Sequence, residues 1–342
     1  MSNSLFITAA IPTYKRPTQF RRALESVLTQ TCPADQIVVG DDGAEQKVRE
    51  ICESYHDPRI IYIARQRARR MTDNWNFVTR WAEQGLVALL EDDNFWLPEH
   101  LENAKRLFVR FPDAGIYHAA HQEAWDCEGK LEIYKTYFPP WHEHLQAAGG
   151  GRVPTEQVVL DALICGSINS STTVVRRGVF EQVPPFDHRY LMGMDTLMWT
   201  RLAMVSPCIY GIALDTVYTY HGKNVSVGEI VARRAGYQAR ASRRLISTEA
   251  LQRGIISPER IKQWLERLPA TEAAGPLTIL AHRDTDPRLY TVARQVWKAR
   301  ADLRMTTGYL RASHILGWNV LGQADRIDTV LGKLGRFKQV TV

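Results

Sequence analysis

Residues Glu91, Asp92 and Asp93 form three consecutive carboxylates between an apolar run, Val87 to Leu90, and an aromatic, proline-marked segment, Asn94-Phe95-Trp96-Leu97-Pro98. Carboxylates this close raise each other's pKa unless a cation neutralises them. Clustered carboxylate oxygens select hard divalent ions such as Mg2+ or Mn2+. A strand ending in such a cluster therefore reads as a metal site at the carboxyl edge of a sheet. A second acidic pair, Asp41-Asp42, precedes Gly43 at the end of the apolar run Gln36–Gly40; a tight turn would use the same residues. Asp195 stands at the start of a helical pattern, where an N-cap is the simpler role. His221 follows a short β-type segment and on its own reads equally as a polar surface residue.

The elements that must hold these residues alternate. Residues 5–11 read as a buried strand ended by Pro12-Thr13-Tyr14-Lys15-Arg16-Pro17, after which Phe20, Ala23, Leu24, Val27 and Leu28 recur at helical spacing. Residues 36–40 are a second strand and Val48, Ile51 and Cys52 mark a helix; a third strand spans 59–64, a helix 74–81 and a fourth strand 86–90. A helix over about 98–111 and a strand over 114–120 follow, with β-rich residues at 171–175 and a helix starting over 191–204. Short strands are expected at 209–214 and 216–220. This alternation predicts an α/β fold whose mostly parallel sheet is covered on both faces. In such sheets ligands bind beyond the carboxyl ends of the strands, where Pro12–Arg16, Asp41-Asp42 and Glu91–Asn94 all fall. Pro139 to Pro154, with Trp141, His142, His144 and three glycines, lacks periodicity and reads as a loop or lid.

The chain has 342 residues, of which 45% are hydrophobic and 23% charged, the composition of a globular protein. Five scattered cysteines without a C-x-x-C pair suggest neither a disulfide framework nor a zinc knot. With no basic, apolar leader and no run near the roughly 18 apolar residues of a membrane span, a cytoplasmic location is expected. The net charge of +6 is uneven: residues 226–342 hold 20 Lys+Arg against 10 Asp+Glu, leaving 23 against 27 before them. Two regions are expected, a catalytic domain over 1–225 and a basic, mainly helical region over 226–342. Clusters such as Arg233-Arg234, Arg240, Arg243-Arg244 and Lys333, Arg336, Lys338 could face an anionic membrane, a nucleic acid or water. Trp264, Trp297, Tyr309 and Trp318 offer apolar faces for the core or a second subunit, and the oligomeric state stays open.

Five segments share the order and spacing of one family: Ile11–Arg16, Val38–Gly43, Leu90–Pro98, Gly193–Leu202 and Tyr220–Ser226. Together, over about residues 5–226, they resemble the family-2 glycosyltransferases, inverting enzymes of the GT-A fold, a Rossmann-like three-layer sandwich. The resemblance implies transfer of a sugar from a nucleotide-sugar donor to an acceptor hydroxyl, helped by Mn2+ or Mg2+. It implies that Asp93 is the metal-ligating aspartate, that Asp92 meets the ribose hydroxyls, and that Glu91, standing where the family usually has an aspartate, is a further candidate metal ligand. Asp42 would read a nucleobase imide, favouring uridine or thymidine, and Pro12, Thr13, Tyr14 and Arg16 would line the donor. Arg65, Arg67, Arg69 and Arg70 lie where the family often supplies a donor-contacting arginine; Arg67 stands for this unseparated run. Asp195 would be the general base, although Met194 replaces an acid common in relatives. His221 would complete the metal shell or contact the diphosphate, and Lys223 would steady the phosphates. Asn76 matches a recurrent structural asparagine, and Ser167 to Ser171 suit an acceptor cleft.

The leading expectation is therefore an inverting, metal-dependent transferase acting on a glycan or lipid-linked acceptor, with its basic helices peripheral to the inner face of the membrane. Two alternatives remain: the same catalyst acting on modified nucleic acid, which the basic region could neutralise, and a nucleotide-sugar-binding protein that has lost catalysis. A nucleotidyltransferase is disfavoured because no Gly-rich phosphate loop occupies residues 12–17.

Overall fold

The computed structural model describes residues 5–65, 71–83, 85–127, 130–190, 192–221, 229–300 and 302. The expected residues Arg67, Arg69, Arg70, Lys223, Tyr309, Trp318, Lys333, Arg336 and Lys338 lie outside them. Contacts divide the chain into two compact units, Met1–Ile256 and Ser257–Val342.

The first unit begins with strand β1 (Ile7–Thr13), helix α1 (Pro17–Leu28), β2 (Gln36–Asp41), α2 (Gln46–Ser54), β3 (Ile60–Ala64), α3 (Met71–Trp81) and β4 (Leu86–Leu89). It continues with β5 (Phe95–Trp96), α4 (His100–Arg110), β6 (Ile116–Cys127), β7 (Lys130–Tyr137), α5 (His142–Gln146), β8 (Gly151–Val153) and α6 (Thr155–Ile164). After a 3-10 turn at Ser170–Thr172 come β9 (Val174–Arg176), α7 (Arg177–Phe180), α8 (Met194–Val205), β10 (Cys208–Tyr220) and α9 (Glu229–Gln252). The sheet order is β3-β2-β1-β4-β9-β6-β10-β5, with β7 added to β6 and β8 to β10. β1 is parallel to β2 and β4, β2 to β3, and β10 to β6, while β9 runs antiparallel between β4 and β6. The expected α/β architecture, a mostly parallel sheet between helical layers, is what the chain adopts.

Strand alternation sorts the core into two clusters. Ile7, Ala9 and Ile11 of β1 pack with Phe20, Leu24 and Val27 of α1 and with Leu101 and Phe108 of α4. Ala10 and Val38 face Trp75 and Val78 of α3 and, farther along, Met198, Trp199 and Leu202 of α8. Because both faces are buried, the central strands read as unbroken apolar runs rather than alternating ones. Gly40 is fixed by this closeness: a Cβ there would lie 2.6 Å from both Asn74 Oδ1 and Val78 Cγ1.

Several expectations need correction. Residues 139–154 are not a lid: Trp141 and His142 are buried, His142 Nδ1 lies 2.6 Å from Tyr210 Oη, and β8 pairs with β10. The two short strands over 209–220 are one strand, β10, whose register against β6 shifts between Gly211 and Leu214 and again before Val217. Such irregularities break the period-2 pattern that sequence reading relies on. At 170–172 the β-rich residues form a 3-10 turn before the strand. The compact unit also runs past Val225, because α9 packs on α6 and α8 and Arg201 Nε and Nη2 donate to Glu249 at 2.9 and 2.6 Å. Part of the basic stretch thus turns inward, with Arg244 only 6% exposed.

The second unit contains α10 (Pro258–Arg267), α11 (Ala270–Leu280) and α12 (Pro287–Ala299). Ile261, Leu265, Leu277, Leu280, Leu289 and Val296 form its buried stripe. Ser257 and Asp286 cap the first and last of these helices by accepting from Arg260 N and Arg288 N. Trp264 and Trp297 are half-buried within it. Among the described residues no helix is long and apolar enough to cross a membrane.

Replacing Gly40 by Ala should force α3 away from β2 and lower unfolding free energy by roughly 1–3 kcal/mol. A urea midpoint equal to wild type would contradict this account of the β2–α3 contact.

Candidate active site

The site is built where β1, β2 and β4 end together. Thr13 Oγ1 donates to Asp92 Oδ2 at 2.7 Å, the backbone N–H of Tyr14 donates to the same oxygen at 3.2 Å, and Arg16 Nη2 meets Asp92 Oδ1 at 2.7 Å. Asp92 thus ties the loop after β1 to the end of β4, and both its oxygens are engaged within the chain. Its expected ribose contact has to share them. The Arg16 guanidinium reaches past Asp92 to bond Asp93 as well. Tyr14 is 45% exposed at the mouth, where it can line a donor as expected of it.

Asp93 is the convergence point. Its Oδ2 accepts from Arg16 and lies 3.1 Å from His221 Nε2, while its backbone carbonyl accepts from Arg22 Nη2 at 3.0 Å and from the Thr219 hydroxyl. Burial works against the Asp93 carboxylate, but the hydrogen bond from His221 and the charge of Arg16 hold its pKa below the usual range. Arg16 is raised in turn: burial opposes its charge, and Asp92, Asp93 and Glu91 more than offset that. Burial pushes Asp92 up to about 6 despite Arg16, with Asp93 adding to the rise.

Asn94 joins the elements that carry these groups. It accepts from Thr219 N at 2.8 Å and donates to Glu91 Oε2 and Ser171 Oγ at 3.1 and 2.9 Å. Glu91 also receives the Ser171 hydroxyl at 3.2 Å; burial, then Asp93 and Asp195, push its carboxyl up to about 8. Asp195 occupies the first turn of α8, one residue into the helix, and Gly193 rather than Asp195 is the N-cap. Gly193 has φ +93°, and a Cβ there would lie 2.6 Å from Ser242 Oγ of α9, so glycine is required twice over. Burial raises the Asp195 carboxyl, opposed first by the backbone N–H of Thr196 and, more weakly, by Arg243. Tyr218 lies within electrostatic reach of Glu91, Asp93 and Asp195, and burial with these charges raises its phenol well above the usual range.

At the β2 end, the two aspartates divide the roles that the sequence leaves open. Asp41 makes the turn, accepting from Gly43 N at 2.9 Å, Glu45 N at 2.8 Å and Tyr62 Oη at 2.9 Å. Asp42 instead faces Arg65 Nε at 3.4 Å, and Arg65 stacks 4.7 Å over Phe77. Pro12 pairs with Gly40 in the β1–β2 ladder, fixing the floor between them. Asn74 donates to the carbonyls of Thr13 and Gly40, and Asn76 exchanges two hydrogen bonds with the backbone of Phe186.

Sequence reasoning did not single out Arg22, Asn74, Asn94 or Tyr218. Arg22 and Asn74 sit within ordinary amphipathic helices, and only tertiary pairing reveals that they face the strand ends. Arg65 was one of four arginines; its place directly after β3 was the available signal.

The Asp93–His221 pair joins a carboxylate oxygen with an imidazole nitrogen, a donor set that suits Mn2+ better than the all-oxygen preference of Mg2+. The residues therefore fit a divalent cation held by two side chains. Among the described residues no group of three or more His, Cys, Asp or Glu could hold a metal alone, so a bound ligand or water must supply the other positions. Removing Arg16 leaves Asp92 and Asp93 without their cation. Arg16→Ala should therefore unfold about 3 kcal/mol more easily in chelator, with Mn2+ recovering part of the loss; a midpoint equal to wild type in both conditions would refute the bridge.

Residues 8–152 match the model of "Glycosyl transferase family 2". The chain is 30% identical over 127 residues to the succinoglycan biosynthesis protein ExoW of Rhizobium meliloti (strain 1021), covering 33% of this chain and 37% of that protein. It is 38% identical over 64 residues to Glycosyltransferase GlyA of Streptococcus pneumoniae, 18% of this chain and 9% of that one. The chain thus spans well under half the length of these curated relatives. Among solved structures, residues 1–349 of S. aureus TarS in complex with UDP-GlcNAc superpose with a TM-score of 0.57 at 15% identity, covering 92% of each chain. Mannosyltransferase PcManGT from Pyrobaculum calidifontis, in complex with GDP-Man and Mn2+, gives 0.53 at 17% identity over 93% of this chain and 89% of that one. At these identities the two structures share the fold. Residues 8–152 thus resemble glycosyl transferase family 2, and the chain around them has the fold of these two structures.

Proposed function

We propose that the chain is an inverting glycosyltransferase that moves a sugar from a nucleotide-sugar, with uridine diphosphate as the preferred carrier, to an acceptor hydroxyl in polysaccharide or glycoconjugate biosynthesis. The observation that carries this reading is the meeting of Asp93 and His221, 3.1 Å apart, at the carboxyl end of a parallel sheet. Uridine as carrier is supported by Asp42, whose side chain stands clear of the turn that Asp41 makes, and by UDP-GlcNAc bound to a protein of the same fold. Arg65 beside Asp42, rather than Arg67, which lies outside the described residues, is the arginine that this reading assigns to the donor. Lys223 keeps its proposed phosphate role from its position two residues after His221.

A divalent cation bound by Asp93 and His221 would act as a Lewis acid, neutralising charge on the departing diphosphate. Arg16 supplies fixed positive charge on the same side and keeps Asp92 and Asp93 ionised together. Asp195 takes the acceptor hydroxyl proton. Its buried carboxyl has a raised pKa, which brings its basicity nearer neutral pH, where a general base works best. Glu91, which accepts from Asn94 and Ser171, is given an orienting role here in place of the metal contact expected of it. The proposed acceptor could be soluble or lipid-linked; peripheral membrane contact through the helices of the second unit remains part of the proposal, because their basic residues suit an anionic surface.

Two variants test it with UDP-sugars and Mn2+. Asp93→Ala should abolish the response of turnover to metal, cutting kcat by about 100-fold or more; full metal-dependent activity would remove Asp93 from the site. Asp195→Asn should bind UDP as tightly as wild type by calorimetry while losing roughly 100- to 10,000-fold in transfer. Near wild-type transfer would exclude Asp195 as the base.

A further inference from the structure

One face of the β6–β7–β10 ribbon is paved with aromatic rings. Cross-strand pairing aligns His121 with Tyr137, and Trp125 with Tyr220. Ring centroids run without a gap: Tyr137–His121 5.1 Å, His121–Tyr218 6.3 Å, Tyr218–Tyr220 4.9 Å, Tyr220–Trp125 5.5 Å and Trp125–Tyr134 5.4 Å. The inner part is partly buried, whereas Trp125 and Tyr134 at the outer end remain 47% and 45% exposed. Tyr134, the residue that bulges from the ladder opposite Glu123 and Ala124, is thereby turned onto the same face as Trp125. Nothing in core packing requires rings of this size half in water, and contiguous exposed aromatic surface marks a binding site.

Within the stripe Tyr218 precedes Thr219, whose hydroxyl donates to the Asp93 carbonyl, and it lies within electrostatic reach of Glu91, Asp93 and Asp195, where the reading above requires the acceptor hydroxyl. Whatever presents that hydroxyl must leave along the stripe. Polar groups are interleaved with the rings: Tyr134 Oη donates to Glu123 Oε2 at 2.9 Å, and Lys135 Nζ lies 3.8 Å from the same carboxylate. A hydrocarbon chain would strand these groups without water. A phosphate-rich polymer would meet Glu123 and Glu132 beside the rings and the three carboxylates at the inner end. A neutral sugar chain fits both features, since its C–H faces pack on aromatic rings and its hydroxyls bond to carboxylate and phenol.

We infer that this aromatic stripe is the acceptor track, binding an uncharged oligosaccharide of at least two rings whose terminal hydroxyl reaches Asp195. The inference rests on the transferase reading but concerns only the acceptor. It is tested by incubating the full chain, with UDP and Mn2+, on an array of neutral and anionic oligosaccharides. Retention should be confined to neutral chains, and Trp125→Ala and Tyr220→Ala should each weaken it about tenfold. Trp125→Phe keeps a ring and should keep most of the binding, so a loss equal to that of the Ala variant would show that stacking is not the cause. No retained glycan, retention of anionic chains only, or retention unchanged in the Ala variants overturns the inference. So does a stripe whose Ala variants lose binding to phosphatidylglycerol vesicles or self-association instead. Hydrolysis of UDP-sugars by the wild-type chain, measured alongside, reports on the transferase reading separately: hydrolysis without glycan retention sinks the track alone.

Discussion

The arrangement depends on one guanidinium. Arg16 lies across Asp92 and Asp93, two buried carboxylates that could not otherwise both be ionised so far from water. That bridge fixes the end of β4 to the loop after β1. With the ends of β1 and β4 joined, Thr13, Tyr14 and Asp93 share one mouth, and His221, arriving from the end of β10, can meet Asp93 from the other side. Arg16 and His221 meet the same oxygen of Asp93, so the guanidinium also fixes the atom to which the imidazole turns.

Around this bridge, polar side chains connect elements far apart in sequence. Asn94 links β4 to β10 and to the 3-10 turn before β9, while Arg22 reaches from α1 to the backbone of Asp93 and to Asp126 at 2.8 Å. Asn74 holds the loops of β1 and β2 from the helix beneath them. Asn94 is paired through both its oxygen and its amide, whereas Arg22 Nε and Asn74 Oδ1 are buried without a hydrogen-bond partner among the described residues, a cost that the bonds made by their other atoms offset. The site is therefore preorganised by hydrogen bonds on the helix and strand ends, not by its loops alone.

Much of this was legible in the sequence, for physical reasons. The first four strands carry unbroken apolar runs because both of their faces are covered, and each ends in residues that a core would reject, so Asp42, Asp92 and Asp93 could be singled out without coordinates. Local signals failed where pairing between distant strands takes over. The irregular register of β10 divided one strand into two apparent pieces, and β7, whose residues are mostly exposed, shows no buried face to read. Trp141 and His142 resembled lid residues because glycines follow them, yet Trp141 packs into the core and His142 is buried against the Tyr210 hydroxyl. The division of labour between Asp41 and Asp42 was equally hidden, since it depends on which carboxylate the following amides reach.

The contact of Gly193 with Ser242 makes the helix that carries Asp195 lean on α9, and both helices lie beyond the residues that match the family model. Arg201 and Glu249 lock the same two helices about two turns farther along. The segment that carries α9 is therefore not an independent cassette: a recombinant that borrowed a foreign ending would inherit a foreign buttress, and Asp195 would shift with it.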